Sequence, residues 1–520
     1  MDEVHCVSRV RNGATLNLAE DAAVRMKKSL QVKDSLIASG IPIYGVTTGF
    51  GDSSNHQIGP RKAAALQRNL LRFLRVGTGP VAPDDIVRAT MLIRANCLAR
   101  GHSAIRHEPV RLILDMLHND ILPRIPERGS VGASGDLAPL SYLAAALTGE
   151  GTVTFRGERM PAAEALRTAG LTPVELEAKE GLALVNGTSF MSAYLTLAFV
   201  EARELAWCAD LCTAMAAEIR RSSKDQFTAF PHDNKPHPGQ GTSAQNIREF
   251  LEGSSLAGAD ADLRGDGLTE DDGYLELRRG IQDPYSIRCA PHVIGVLRDT
   301  LLWAEQWIGN EINSSNDNPL FDAESSTVHN SGNFYGGHVA QAASALAAAV
   351  AGVGDLLDRQ LQLLVDPKFS LGLPANLIAP VDPTDAAAGL HHGFKGAQIA
   401  ASALTAEALH LTMPVSSFSR STEAHNQDKV SMGTIAARHA RTVTRLIGEV
   451  TAIHLVALCQ AADLVGADGL GLRTARCHRY LRGIVPFLQE DRPLDEDFGR
   501  IADALIDGSL RREVMAPDGP

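Results

Sequence analysis

Helical periodicity that runs on for many turns constrains this chain more than any other feature. Ser189 to Arg221, His338 to Val365 and Lys429 to Val465 each keep apolar residues at three- and four-residue spacing. A typical globular helix ends after about 11–12 residues. Shorter runs with the same spacing cover Asp85 to Arg100, Val110 to Leu122, Pro291 to Asn313 and Gly396 to Leu411. Helices this long bury their apolar stripes by lying side by side, so the expected fold is mainly α with a long central helix bundle. The bundle is assigned to residues 189–475, a loop-rich N-terminal domain to 1–188 and a short helical C-terminal segment to 476–520. The strand signal is sparse: Thr152 to Met160, with Arg156-Gly157 at its centre, predicts one small hairpin. No internal repeat is evident.

The most apolar stretch, Val339 to Gly354, is Ala-rich and interrupted by Gln341 and Ser344. It is too short to span a bilayer and reads as an inner helix of the bundle, so no membrane partner is expected. Lys plus Arg number 49 against 61 Asp plus Glu, a net charge of -12, which disfavours nucleic acid as a partner. Met1 to Thr15 lacks the apolar core of a signal peptide, so a cytoplasmic protein is expected. Seven scattered cysteines, among them Cys208 and Cys212 one turn apart, form neither a disulfide framework nor a metal-ligand spacing. Phe230 to Gln240 is rich in turn formers; its His232 and His237 have no partner at metal-binding spacing, so it reads as a structural loop and no metal is expected. Ala257 to Tyr274, acidic and Gly-rich, reads as a surface excursion.

Against this background one stretch carries unusual chemistry: Gly129-Ser-Val-Gly-Ala-Ser-Gly-Asp-Leu-Ala-Pro-Leu140. In Ala133-Ser134-Gly135 the Gly135 nitrogen has no Cβ beside it and can approach the Ala133 carbonyl carbon. Attack there with loss of water, followed by loss of the Ser134 hydroxyl as a second water, leaves an imidazolinone with an exocyclic methylidene. A helix starting just beyond adds positive potential. The plain reading of the tripeptide is a polar turn, with Ser134 or Asp136 capping the helix from Leu140 to Leu147.

Other polar clusters have the same two faces. Tyr44, in Ile43-Tyr-Gly-Val-Thr-Thr-Gly-Phe-Gly51, is either packing or a ligand-reaching residue on a glycine-rich loop. Asn186, in Lys179-Glu-Gly-Leu-Ala-Leu-Val-Asn-Gly-Thr188, is a helix cap or a site residue. Arg288, in Gln282-Asp-Pro-Tyr-Ser-Ile-Arg288, is a surface ion pair or a fork for a carboxylate. Asn313 to Pro319 and Gly332-Asn-Phe334 read alone as turns.

Taken together and in order, these motifs resemble the aromatic amino acid ammonia-lyases and aminomutases, enzymes that carry a 4-methylideneimidazol-5-one (MIO) group. The likeness runs from Tyr44 to Gln427 and includes Phe394-Lys395-Gly396-Ala397-Gln398 and Glu423-Ala-His-Asn-Gln-Asp428. It implies a fold like that of histidine and phenylalanine ammonia-lyases, with the MIO loop in the N-terminal domain and MIO formed from Ala133, Ser134 and Gly135. It implies Tyr44 as catalytic base on a lid and Tyr285 as a second catalytic residue shuttling protons at the amine. Asn186, Gln282, Arg288, Asn318, Lys395, Glu423 and Asn426 are the implied substrate-binding residues, with Arg288 on the carboxylate and Glu423 near the amine. Phe334 and Gln427 would support the MIO ring, with Asn426 and Gln427 hydrogen-bonding either its carbonyl or the substrate carboxylate. A homotetramer with active sites shared between subunits is likewise implied.

The implied specificity residues are Phe73, Leu74, Leu137 and Leu182. Phe73-Leu74 follows Leu66-Gln67; histidine lyases resemble Ser-His at that pair, tyrosine lyases His-Leu, and Phe-Leu looks like phenylalanine ammonia-lyase. An apolar wall suits a phenyl ring and strands a phenol hydroxyl without a partner. Asn426-Gln427 points the same way, since histidine lyases carry Gln-Glu there. The plain alternative makes Phe73 and Leu74 core residues of a helix. The expected activity is deamination of L-phenylalanine to trans-cinnamate and ammonia. An aminomutase giving β-phenylalanine shares the same motifs; a tyrosine or histidine lyase and a non-catalytic helical scaffold fit them less well.

Overall fold

The computed structural model describes residues 1–9, 16–260, 273, 274, 276 and 280–516. Most of the Ala257 to Tyr274 stretch lies outside the described residues. The chain forms two compact units, each assembled from three segments. The first comprises Met1–Val200, Ala304–Ala345 and Met413–Arg441; the second comprises Glu201–Trp303, Leu346–Thr412 and Thr442–Pro520.

The first unit is built on Glu20–Ala38, Ala63–Leu74, Asp84–Ala99, His107–His118 and Leu137–Leu147. Leu137–Leu147 is apolar on nearly every side, and residues 138–141 and 143–147 are buried. A helix hydrophobic all round belongs inside a core. Pro139 is tolerated because it sits in the first turn, where a backbone N–H has no intrahelical acceptor. Asp84–Ala99 carries two arginines inward. Arg88 pairs with Asp120 at 2.7 Å, and Arg94 donates to the Ala183 carbonyl at 2.7 Å, so each buried charge has partners.

Three small antiparallel sheets complete the first unit. Ile121–Pro123, Thr152–Phe155 and Glu158–Pro161 form one of them, with Thr152–Phe155 in the middle. The expected hairpin is therefore present and gains a third strand. Its turn residues, Arg156 at φ 52° and Gly157 at φ 85°, are both left-handed, as a two-residue turn matched to strand twist demands.

The second unit holds residues 201–219, 290–303, 346–365 and 442–465 of long helices, together with the Lys395–His410 helix. A Cβ on Gly354 would meet Ile447 Cδ1 at 2.1 Å, so the glycine leaves the room that the end of this side chain fills. Gln360, fully buried, donates to Thr213 Oγ1 and to the Ser286 carbonyl, both at 2.9 Å. Its Oε1 lies 3.2 Å from His454 Nε2. Burial pushes His454 down to about 3, so its ring is neutral and its Nε2–H donates.

Two sequence expectations need correction. The apolar segment around Val339–Gly354 extends into the helix Gly337–Val365, and Gly433–Val465 is comparable; both are long and apolar enough to cross a membrane. Length therefore does not exclude a membrane span. Burial is what marks them as inner helices: 61% and 78% of their most apolar windows lie inside the protein. The turn-rich segment around His232 is also not all loop. Ala229–Asp233 and Pro238–Phe250 are helical, and proline at the first position of the second suits that place. The described cysteines are free thiols, most of them buried, with Cys6 at the surface. Among the described residues no group of His, Cys, Asp or Glu is arranged to hold a metal ion.

Candidate active site

The Ala133-Ser134-Gly135 tripeptide lies immediately before the Leu137–Leu147 helix. Gly135 has φ 69°, and a Cβ there would meet the Gly187 carbonyl oxygen at 2.2 Å. Glycine is required on both counts. Gly187 in turn has φ 154°, and its own Cβ would strike Arg94 Nη1 at 2.1 Å. The Asp136 N–H donates to the Gly187 carbonyl at 2.7 Å and locks the two segments together. Neither Ser134 nor Asp136 caps the helix by its side chain. Asp136 Oδ2 accepts from the Met191 N–H at 2.8 Å and Oδ1 from Thr434 Oγ1 at 2.7 Å. Full burial outweighs these bonds and raises the Asp136 carboxyl to about 7.

Two side chains hold the serine. Asn186 Nδ2 donates to the Ser134 carbonyl at 2.9 Å, and Gln427 Nε2 to Ser134 Oγ at 3.3 Å. Asn186 ends the short helix Glu180–Val185, and its amide reaches the tripeptide instead of capping a helix. Its Oδ1 is buried without a protein partner, an acceptor left over at the centre of the site. Gln427 is set by a tight loop in which Thr422 Oγ1 donates to its Oε1 at 2.8 Å. Within that loop Glu423, Ala424 and His425 have φ of 51°, 50° and 68°, a run of left-handed residues that aims Glu423 back towards the Tyr44 loop.

On that loop the Gly51 N–H donates to Tyr44 Oη at 3.0 Å. A Cβ on Gly51 would lie 1.5 Å from Glu423 Oε1, so glycine makes the room that the carboxylate occupies. The Asp52 N–H donates to Glu423 Oε1 at 3.3 Å. Burial, more than the Gly51 bond can offset, raises the Tyr44 phenol above its usual value, and the nearby Glu423 charge adds to this. Partial burial and the Asp52 charge likewise raise Glu423. A lowered pKa would help a tyrosine act as a base; within the chain the surroundings push Tyr44 the other way.

These groups meet at a cavity of about 460 Å³. Tyr44, Ala133, Ser134, Asn186, Asn318, Phe334, Glu423, Asn426 and Gln427 line it, together with Phe73, Leu74, Leu137 and Leu182. The apolar part of its wall comes mainly from two helices: Leu70, Phe73 and Leu74 from Ala63–Leu74, and Leu137 from the helix after the tripeptide. Phe73 is 58% exposed in the chain, which argues against a purely core role for it. Asn318 is oriented by the Ser331 N–H, which donates to its Oδ1 at 2.7 Å. A fully buried pair, Lys179 Nζ to Asp317 Oδ2 at 2.7 Å, fixes the residue just before Asn318; breaking such a pair costs about 3–5 kcal/mol.

Gln282, Tyr285, Arg288 and Lys395 belong to the second unit. There Tyr285 is 72% exposed, the Arg288 guanidinium lies 4.5 Å over its ring, and Gln282 and Lys395 are exposed. Sequence reasoning did not single out Phe50, Gly51, Leu70, Ser331, Asp428 or Lys429, which also line the cavity. The spacing of Leu70, three and four residues before Phe73 and Leu74, was a usable signal. Ser331 carried none.

Residues 1–483 match the model of the aromatic amino acid lyase family. The chain is 42% identical to the tyrosine ammonia-lyase of Cupriavidus metallidurans, over 92% of this chain and 89% of that protein. It is 39% identical to the histidine ammonia-lyase of Deinococcus radiodurans, over 98% of this chain and 93% of that one. Among solved structures, the phenylalanine aminomutase of Pantoea agglomerans superposes with a TM-score of 0.90 at 35% identity, covering 97% of this chain and 96% of that one. The relatives share a fold and differ in the substrate each is named for.

Proposed function

Because the chain belongs to the MIO-dependent family of aromatic amino acid lyases and aminomutases, we propose that it deaminates L-phenylalanine to trans-cinnamate and ammonia. The observation that carries the choice of substrate is the apolar wall of Leu70, Phe73, Leu74, Leu137 and Leu182. A phenyl ring loses nothing there, while a phenol or imidazole leaves a polar group unpaired at about 1–3 kcal/mol.

The residues around Ala133-Ser134-Gly135 fit an MIO group formed from them. Gly135 is packed where no Cβ can stand, and Asn186 offers one bond to the Ser134 carbonyl and one unspent acceptor. The group supplies an electrophilic carbon for the substrate amine. Asn186 polarises the Ser134 carbonyl, and Gln427 holds the Ser134 hydroxyl in the precursor, before that hydroxyl leaves as water. Tyr44 takes the β-proton, with Glu423 beside it at the amine. Asn318, whose oxygen is spent on Ser331, turns its amide N–H groups to the carboxylate.

Arg288 clamps that carboxylate, with Gln282 and Lys395 as further contacts and Tyr285 moving protons at the amine. They reach the site from another subunit of a homotetramer, and the exposure of Tyr285 supports this assignment. We place the enzyme in the cytoplasm.

Likeness to a phenylalanine aminomutase favours one second reading, in which ammonia re-adds to give β-phenylalanine. Incubation with L-phenylalanine, L-tyrosine and L-histidine in turn, with chromatography of the products, decides. Cinnamate alone from phenylalanine supports the lyase, and β-phenylalanine the aminomutase. Turnover of tyrosine or histidine in preference to phenylalanine overturns the substrate assignment.

A further inference from the structure

Gln67 stands outside the cavity, yet three of its walls run through it. The residue is fully buried on the Ala63–Leu74 helix. Its Nε2 donates to the Gly45 carbonyl at 2.8 Å, and its Oε1 accepts from the Leu182 N–H at 2.8 Å. Both ends of the amide are thus spent on backbone groups of two other segments. Gly45 directly follows Tyr44. Leu182 is in the first turn of the Glu180–Val185 helix, where its N–H has no intrahelical acceptor. The helix bearing Gln67 itself presents Leu70, Phe73 and Leu74 to the cavity.

The three segments are packed tightly enough for this link to transmit position. A Cβ on Gly45 would meet Leu182 Cδ2 at 2.6 Å, and one on Gly181 would meet the Gln67 carbonyl oxygen at 2.9 Å. The remaining polar group of Gly45, its N–H, is held by Thr48 Oγ1 at 3.0 Å. We propose that Gln67 is a positioning residue for this reaction: its amide sets the Tyr44 loop in register with Leu182 and with the helix that forms the aromatic wall. The inference rests on Tyr44 acting on the substrate as described above.

Two substitutions separate the two bonds. Gln67→Leu removes both. Gln67→Glu keeps an acceptor for the Leu182 N–H but places an ionised carboxylate against the Gly45 carbonyl. Activity is expressed per competent site, counted by mass spectrometry as the fraction of chains whose Ala133-Ser134-Gly135 peptide is lighter by two waters. Both variants are expected to lose about 100-fold in kcat, the scale of a misplaced catalytic group. For Gln67→Glu, kcat relative to the native enzyme rises as pH falls, because a protonated carboxyl can again donate to Gly45. For Gln67→Leu the ratio stays flat. A residue that only stabilises the fold would lower the melting temperature and the number of competent sites while leaving kcat per site and its pH ratio unchanged.

Native kcat and KM per site in both variants, with Tyr44→Phe inactive, overturns the role of Gln67 alone. Native turnover in Tyr44→Phe overturns the reading of Tyr44 instead. If neither variant accumulates as folded protein, hydrogen exchange in the native enzyme decides. The Leu182 amide is expected to be protected, and exchange as fast as that of an exposed amide removes the link.

Discussion

The side-chain amide of Asn186 donates to the carbonyl oxygen of Ser134 at 2.9 Å. The sequence motif suggested a helix cap or a substrate contact for Asn186, and Asn426 or Gln427 as the residue on that carbonyl. The structure gives the carbonyl to Asn186 and gives Gln427 the serine hydroxyl. A donor on this carbonyl withdraws electrons from the adjoining Cα–Cβ system. The same bond therefore serves a cyclised and dehydrated Ser134 better than it serves an ordinary turn.

Replacing Ser134 tests that electrophile directly. Ser134→Ala has no hydroxyl to lose and cannot form a methylidene. It should fold and lose nearly all turnover. In the native enzyme the peptide carrying residues 133–135 should be lighter by two waters. An unmodified mass in fully active enzyme would end the MIO assignment.

Tyr44 makes a prediction about pH. Its phenol is held above the usual 10 by burial and by the Glu423 charge. At neutral pH only a small fraction is the phenolate that, in the proposed role, accepts the proton. Log kcat/KM should therefore climb with pH from about 7 to beyond 9, without a plateau below the ordinary tyrosine value of about 10. Tyr44→Phe should fold, mature, and lose about 10²–10⁴-fold in turnover together with that climb. A native profile in the variant assigns the proton to another group.

Asp136 links stability to pH with a definite sign. Its folded-state carboxyl is raised from 3.8 to about 7 by burial. Between those values the folded chain keeps the proton and the unfolded chain releases it. Stability accordingly falls as pH rises from about 4 to about 7 and then levels, by an amount on the order of 4 kcal/mol. Asp136→Asn removes this dependence, and Thr434 can turn its hydroxyl to accept from the new amide. Measured in a Ser134→Ala background, where maturation plays no part, the melting temperature of Asp136→Asn relative to its parent should rise between pH 5 and pH 8. A constant difference would show that Asp136 is ionised in the fold at all these pH values.

How much of this was legible beforehand follows from the range of the interactions. The long helices were, because their apolar spacing is local and repeats. The hairpin over Thr152 to Met160 was, because Arg156-Gly157 interrupts a strand-like run with a turn signal, and both residues prove left-handed in the structure. Tyr44, Ser134, Asn186 and Glu423 were legible as chemistry through their motifs, but their partners were not. The Gly51 vacancy that seats the Glu423 carboxylate joins residues far apart in sequence, and no local pattern records it. Gln67 is the clearest case: in the sequence it only marks the approach to Phe73-Leu74, while its two bonds reach Gly45 and Leu182. The raised pKa of Tyr44 was equally hidden, since burial is a property of the fold and not of the residue.

The proposed selectivity for phenylalanine is tested at Phe73, where the exposure of the ring sharpens the outcome. At 58% exposed it contributes little to the core of the chain, so replacing it should leave the melting temperature nearly unchanged. Its ring lines the cavity on the same helix as Leu70 and Leu74. Tyrosine bound there would press its hydroxyl against apolar carbon and lose a hydrogen bond to water. Phe73→His offers a donor or acceptor at that spot. The same change leaves phenylalanine facing a polar ring that goes unpaired, so its binding weakens. The effects on the two substrates are opposed, and the ratio of kcat/KM for tyrosine over phenylalanine should rise roughly tenfold to a thousandfold, for about 1–4 kcal/mol. Steady-state kinetics on both amino acids, beside a melting curve, measure this. Parallel loss of both activities with a falling melting temperature would make Phe73 a structural residue. An unchanged ratio at an unchanged melting temperature would remove it from the specificity wall and leave Leu74, Leu137 and Leu182 to account for any preference for phenylalanine.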